Sequence, residues 1–441
     1  MKPNMNSQFS NRNINFRVAL MDYGIDITGE VEKIDLFFDF SGLPYGTIIL
    51  NDVNHNIFDT FPLMGGEFIF ISAIHDISNA KLFSKIMRIS EVELMPTDVT
   101  IGNTRTKYKI HLVSKFKFNG AMRKISRGYV GVNTTSEIVH DIFKTDFGLT
   151  DKEEYIIFNS NTHLDNYIIT WCNPLDEVNY LKKVSSDIYE KDFYVFFEDM
   201  RTLNFMPISV LVNASPIYQL QRKISYDIEK DGIPLLHIEK EKFISGVNVL
   251  RSLEGGNLGE TTLYFNIKDK TTDEVSIKMD SEFLDSMVTM GESSYYNKKV
   301  CDYAEMSNYK LGLPRHETTN KFTYYNMRKE LFNIFNIKMC LPGTLDLDIG
   351  RTVYVEFPQN HDEIDSLLSG TWIIKQLHLN INMRDPETDT FGFPQFSTEI
   401  IIAKDAFGMV KKNIKELTDF IQTTTNVNNN IIMRELKTAR F

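Results

Sequence analysis

The side chains that could do chemistry in this 441-residue chain are not spaced as any familiar catalytic set requires. Nine histidines are scattered, and His316-Glu317 is followed by Thr, Thr and Asn, which breaks the helical two-histidine zinc spacing of a metalloprotease. Gly255, Gly256 and Gly259 lack the Lys-Ser/Thr that would hold a phosphate, so this stretch reads as a plain loop. No GxSxG turn offers a nucleophilic serine, and no GxGxxG opens a helix. Carboxylate pairs remain as glycosidase acids or a cation site: Asp22/Asp26, Glu91/Glu93 and Asp346/Asp348. A spacing of two on a strand puts both acids on one face, so the last two pairs read as the wet side of half-buried sheets. Trp171 and Trp372 stand in apolar sequence and read as packing residues, not sugar platforms. His140, on the polar side of a helix, has no partner signal. Cys172, Cys301 and Cys340 share no CxxC or metal spacing, which points to a reduced, intracellular setting. The expectation is therefore a non-enzyme with no catalytic, metal or cofactor-binding residue.

Composition narrows the class further. With 59 acidic and 48 basic residues the formal charge is −11, a poor balance for gripping nucleic acid, which needs clustered Lys and Arg. A content of 42% apolar and 24% charged residues is that of an ordinary soluble protein, too long for one core. The 32 Phe and 19 Tyr favour pleated surfaces. The polar stretch at residues 1–13 predicts no secretory leader. No apolar run approaches the roughly 18–20 residues of a membrane span, so a soluble, cytoplasmically assembled product is expected.

The elements that would position these residues are most legible over 134–212. Thr134 and Glu137 have capping-box spacing, Ile138, Val139, Ile142, Phe143 and Phe147 share one helical face, and Gly148 is suited to stop the helix. A second helix opens with Asn173 as N-cap and Pro174 in its first position, with Asp176 and Glu177 at the positive dipole end. Leu175, Val178, Leu181, Val184 and Ile188 form its buried stripe. Residues 193–208 then read as two aromatic strands joined by a turn near Asp199 and Arg201.

Strands dominate elsewhere. Val31, Ile34, Leu36, Phe38 and Phe40 recur with polar partners, glycine-entered strands follow from Gly46 and Gly66, and two more are expected over 85–93 and 108–115. Gly65 and Gly66 are expected at positive φ in a tight turn. Further strand patterns run over 217–228, 235–249, 261–269, 343–358 and 398–405, with an irregular stretch over 251–320 that includes a short helix near 282–290. The fold expected is mainly β with α/β insertions: two small antiparallel, tube-like β-barrel domains, a small α/β domain and an irregular inserted domain. The boundaries are 14–122 for the first barrel, 123–212 for the α/β domain, 213–250 with 321–405 for the second barrel, 251–320 for the insertion and 406–441 for a C-terminal helix and flexible tail.

The order of parts in 134–212, a helix ending in Phe147-Gly148-Leu149, an apolar strand, an Asn173-Pro174 helix and an aromatic strand pair around Glu198, resembles the baseplate hub proteins of contractile-tailed bacteriophages. The Pro62-Leu63-Met64-Gly65-Gly66-Glu67 bend and the Asp348-Ile349-Gly350 step between alternating strands are similar to that family as well. The resemblance implies a homotrimeric hollow ring joining a central spike to the tail tube or its initiator proteins, surrounded by other baseplate proteins. DNA would only pass through it, and an acidic wall would repel its phosphates. It implies a place in the virion, in the tail baseplate. The N-terminal part of type VI secretion spikes is similar to the same family, but their usual Gly-rich β-helix has no counterpart in this sequence. The other class consistent with the residues is a carbohydrate-binding or glycan-hydrolysing β-rich protein. In the tail, Val410, Ile414, Leu417 and Ile421, then Ile431, Ile432 and Leu436, have amphipathic spacing separated by the Asn- and Thr-rich stretch 423–430, and form a candidate partner-binding segment.

Overall fold

The computed structural model describes residues 14–53, 57, 60–75, 81–95, 105–149, 154–186, 192–222, 229–230, 232–245, 259–266, 270–278, 308–312, 317–332, 335–357, 368–384 and 391–405. The tail residues Val410, Ile414, Leu417, Ile421, Ile431, Ile432 and Leu436 lie outside these, as do Ile188, Cys301, His316, Gly255, Gly256 and the helix expected near 282–290.

The first half of the sheet is β1 (Ile14–Leu20), β2 (Ile25–Asp26), β3 (Val31–Asp39), β4 (Tyr45–Val53), β5 (Phe68–His75), β6 (Lys81–Met95) and β7 (Arg105–Ser114). Next come α1 (Lys115–Ala121), β8 (Ile125–Thr134), α2 (Thr135–Thr145), β9 (Tyr155–Ile157), β10 (His163–Cys172), α3 (Pro174–Val184), β11 (Tyr194–Glu198), β12 (Leu203–Pro207) and α4 (Ile208–Val212). The rest is β13 (Tyr218–Gln221), β14 (Glu229–Lys230), β15 (Ile233–His237), β16 (Lys240–Ser245), β17 (Gly259–Asn266), β18 (Thr271–Lys278), β19 (Asn308–Gly312), α5 (Glu317–Leu331), β20 (Phe335–Pro342), β21 (Thr352–Glu356), β22 (Gly370–Arg384) and β23 (Phe391–Lys404).

The mainly β class holds, and among the described residues fifteen strands join one sheet. Strand order in the first half is β2-β1-β5-β6-β7-β4-β3, and β3 pairs β22 from Lys33↔Asn382 to Asp39↔Gln376. From β22 one branch runs through β21, β13 and β15, the other through β23, β20 and β16. Between β15 and β16 the chain bends: Ile238 N donates to Gln221 O beside β13, and Glu239 N donates to Cys340 O in β20. Residues 233–245 thus tie one branch to the other, and the second half curls on itself. Instead of two separate antiparallel barrels, the described pairing shows two halves fused through β3 and β22, with β13 parallel to both β15 and β21. A parallel neighbour requires a crossover, and the long connections of the second half supply it.

Period-two patterning explains the core. Ile34, Leu36 and Phe38 of β3, Ile48 and Leu50 of β4, Ile110 and Leu112 of β7, and Leu377, Leu379 and Ile381 of β22 are buried on one face. Each such side chain contributes about 1.5–3 kcal/mol. The other face carries Lys33, Asp35, Phe37 and Asp39, then Lys109, His111, Gln376 and His378. Gly65 and Gly66 do adopt positive φ, +104° and +93°, at the bend into β5.

The helices form as their caps dictate. Thr134 and Glu137 make the reciprocal capping box, and Asn173 Oδ1 accepts from Leu175 N at 2.8 Å, each cap being worth about 1 kcal/mol. Gly148 takes φ +69° just past α2. Ile138, Val139, Ile142 and Phe143 of α2 pack with Val178, Leu181 and Val184 of α3 on a second core. All ten residues of β11 and β12 are buried, because the hairpin separates two cores. Tyr194, Phe196, Leu203 and Phe205 face the helices, whereas Val195, Phe197 and Met206 face the large sheet.

Three features depart from the expected pattern. In the stretch read as irregular, β17 pairs antiparallel with β18 and parallel with β19. Helix α5 spans the expected boundary at 321 and fills the start of the stretch assigned to the second barrel. Its inward positions Tyr325 and Arg328, followed by Phe332, include an arginine, so the apolar period is interrupted; Arg328 is paid for by Asp405 at 2.8 Å, both side chains 1% exposed. The helices α1 and α4 are too short to carry a period.

Candidate functional site

The carboxylate pairs singled out by spacing are mostly engaged in holding backbone. Asp22 Oδ2 accepts from Phe68 N at 2.7 Å, and Asp26 Oδ1 from Thr28 N at 2.9 Å. Asp346 and Asp348 do not share a strand face: both lie in the turn between β20 and β21. The glycine at 350 has φ +75°, which ends the alternation there. Asp346 accepts from the Tyr218 hydroxyl at 3.1 Å, while Asp348 accepts from Met200 N at 3.2 Å and from Ile349 N at 2.9 Å. Only Glu91 and Glu93 remain as read, exposed together on β6. His140 has a partner after all, Tyr155, whose hydroxyl is 3.0 Å from Nε2. The free thiols Cys172 and Cys340 are poor nucleophiles. Burial and the Glu177 carboxylate push Cys172 up to about 11, and burial with Glu399 raises Cys340.

The β11–β12 turn is where three parts of the chain meet. Glu198 pairs with Lys85 of β6 at 2.7 Å, with the two side chains only 4% and 6% exposed. Glu198 also accepts from the Ser114 hydroxyl at the end of β7, and Lys85 Nζ donates to Asp199 O at 2.6 Å. On the opposite side the turn reaches Asp348. Burial of that carboxyl, with the nearby charge of Asp199 adding, pushes its pKa up to about 7. Gly350 brings the second half close enough that a Cβ there would sit 2.9 Å from the Phe197 ring. Sequence reasoning placed the turn correctly and missed its partners, which are 84 to 148 residues away along the chain.

Across the sheet's second face the register aligns one lateral row. Tyr45 is opposite Phe37, Phe37 opposite His378, His378 opposite Glu399, and Glu399 opposite Cys340. Phe37 stacks on Tyr45 at 5.0 Å and on His378 at 4.1 Å. The His378 ring lies between two carboxylates, Asp35 at 2.9 Å from Nε2 and Glu399 at 3.1 Å from Nδ1, and Lys338 pairs with Glu399 at 2.8 Å. Burial works against charge on both carboxylates, but hydrogen bonds from His378 and from Lys33 or Lys338 outweigh it and hold both below the usual range. This row crosses the β3–β22 seam, so it stitches the two halves electrostatically.

A separate surface lies on the two-stranded β8–β10 ribbon. Val130, Val132, Ile168 and Trp171 are exposed there, Val130 by 91% and Trp171 by 74%. Trp171 therefore is not a packing residue, unlike Trp372, which is fully buried. Register shifts flank Asn166 and Trp171, and both take positive φ, which turns the indole out of the ribbon's inner face. Among the described residues no helix is long and apolar enough to cross a membrane.

Comparison with known proteins gives a likeness in structure and none in sequence. The sequence matches no protein-family profile and no curated protein. The fold is similar to a tail protein of Neisseria meningitidis MC58, with TM-score 0.52 at 9% identity, over 89% of this chain and 97% of that one. It is equally similar to the 43 kDa tail protein of prophage MuSo2 from Shewanella oneidensis: TM-score 0.52, 10% identity, 89% of this chain and 99% of that one. The Francisella PdpA-VgrG complex gives TM-score 0.50 at 15% identity over 90% of this chain, which spans 59% of the matched chain.

Proposed function

We propose that this chain is a structural tail protein of a bacteriophage, the subunit of a homotrimeric baseplate hub whose hollow ring joins the central spike to the tail tube and lets DNA pass. The observation that carries this reading is the extent of the fold likeness, which takes in almost the whole length of two tail proteins. At such low identity the likeness is one of architecture, so the reading draws on physical support as well. Two strand-rich halves fused edge to edge through β3 and β22 give each subunit two walls, and in the hub reading three subunits then supply six around a ring. The surplus of 59 acidic over 48 basic residues disfavours retention of phosphates.

In this reading the partners are two further copies of the chain, a spike at one end, tube or tube-initiator proteins at the other and surrounding baseplate proteins, with residues 406–441 as a partner-binding segment. Assembly follows synthesis in the host cytoplasm. The domain boundaries set out above belong to the same proposal, with the two barrel regions joined through β3 and β22 and α5 crossing the 321 boundary. The interface holding such a ring through contraction buries on the order of 2,000 Å² or more. Light scattering on the purified chain, with negative-stain images of the same peak, tests the reading. A particle of three times 51.1 kDa with ring-shaped end views is the expected result. A monomer at every accessible concentration that is retained on peptidoglycan would move the assignment to a glycan-directed protein.

A further inference from the structure

We infer that Glu91, Glu93 and His111 form a zinc site on the outer face of the β6–β7 pair, an inference independent of the ring. A register shift between Ile89 and Glu91 places Glu91 directly opposite His111, and Glu93 follows on the same face. Ser90, at the shift, donates its hydroxyl to His111 O at 3.1 Å and fixes the backbone there. One ligand atom from each of the three side chains lies within 4.8 Å of the others. Glu93 Oε1 is 3.3 Å from His111 Nε2, a loose ion-pair contact, and that nitrogen, shielded from solvent, has no second partner among the described residues.

An imidazole nitrogen set between two carboxylates, with a single loose contact to one of them, is placed as a metal ligand would be. The ligand set, one nitrogen and two carboxylate oxygens, suits Zn²⁺ at bond lengths of about 2.0–2.2 Å with water completing four-coordination. Drawing the three atoms inward needs only side-chain rotation, because the two acids are exposed. Lys109, 3.5 Å from Glu93 Oε2, is the one cation beside the acids among the described contacts, and its flexible stem lets the metal displace it. The contrast with His378 is instructive, since both nitrogens of that ring already face carboxylate oxygens. Zinc at His111 would clamp β6 to β7 beyond the bulge.

Isothermal titration of zinc chloride into the full chain tests this. One zinc per chain at micromolar affinity is expected, weakened about tenfold or more by His111→Ala and by Glu91→Gln. His140→Ala, on α2, should bind as the unaltered chain does. Glu91 is exposed, so Glu91→Gln keeps the test decisive should His111→Ala misfold. Absence of zinc uptake by the unaltered chain, or undiminished affinity in Glu91→Gln, overturns the site.

Discussion

His378 and His111 stand on the same face of one sheet, each beside two carboxylates, and are held in opposite ways. His378 is 19% exposed, stacked on Phe37 and bonded at both nitrogens, so its ring joins β3, β22 and β23. His111 is 28% exposed, and its shielded nitrogen has one loose contact, to Glu93 at 3.3 Å. The ligand types barely differ; the register does. Opposite His378 the strands pair on both sides and deliver a carboxylate to each nitrogen, whereas at His111 a bulge displaces both acids along one strand. Enclosure then decides what each ion pair is worth, and the series extends inward to Lys85 and Glu198, which solvent barely touches.

The deepest pair should give the largest effect. Lys85→Met leaves the Glu198 carboxylate buried with only the Ser114 hydroxyl, and should cost about 3–5 kcal/mol in urea unfolding. Replacing both, Lys85→Met with Glu198→Leu, should recover most of that loss, because the penalty belongs to the orphaned charge and not to a missing attraction. A double variant as unstable as the single one would remove Lys85–Glu198 from the series.

Asp348 sharpens the same point through pH. Its folded pKa of about 7 lies above the ordinary 3.8, so the folded state binds the proton more tightly. The stability this group contributes is present in full below about pH 4 and is lost as pH rises through about 7. Asp348→Asn, which keeps an acceptor without the charge, should therefore gain on the order of 1–3 kcal/mol over the parent between pH 5 and pH 8. Parallel stability curves for the two proteins would mean that Asp348 does not titrate in that window. At the seam, His378→Leu should cost about 1–2 kcal/mol by leaving Asp35 with Lys33 and Glu399 with Lys338 and the Cys340 thiol, and the loss should shrink as both acids are protonated.

How far this was legible in the sequence follows from the range of the interactions. Caps and periods are local, so Thr134, Glu137, Asn173 and the alternation of β3 could be read directly, and the aromatic hairpin declared itself because both of its faces are apolar. The turn at Asp199 was readable for the same reason. Its partners Lys85, Ser114 and Asp348 were not, since nothing near them in sequence marks the contact. Arg328 hid α5 by occupying a buried position with a charge whose partner, Asp405, is 77 residues away. Trp171 misled for a different reason: a bulge reverses which side of a strand a residue faces, and bulges leave little trace in composition. The His111 cluster depends on such a shift too, so Glu91 and Glu93 were visible as a pair while their third member was not.

The smallest predicted effect tests the comparison at its open end. Without metal, His111→Ala should change stability by less than about 0.5 kcal/mol, because the Glu93 it leaves is exposed and keeps Lys109. The Glu93 carboxyl is held below its usual range chiefly by the His111 contact, with Lys109 adding, so the variant should raise its pKa, a shift that side-chain NMR titration can follow. With saturating zinc the two proteins should separate, since a ligand that binds only the folded state stabilises by RT ln(1 + [L]/Kd), about 2.7 kcal/mol at a hundredfold excess over Kd. A loss above about 1 kcal/mol in the absence of metal would show that His111 is already a structural ion pair like His378, and the distinction drawn from its loosely held nitrogen would fall.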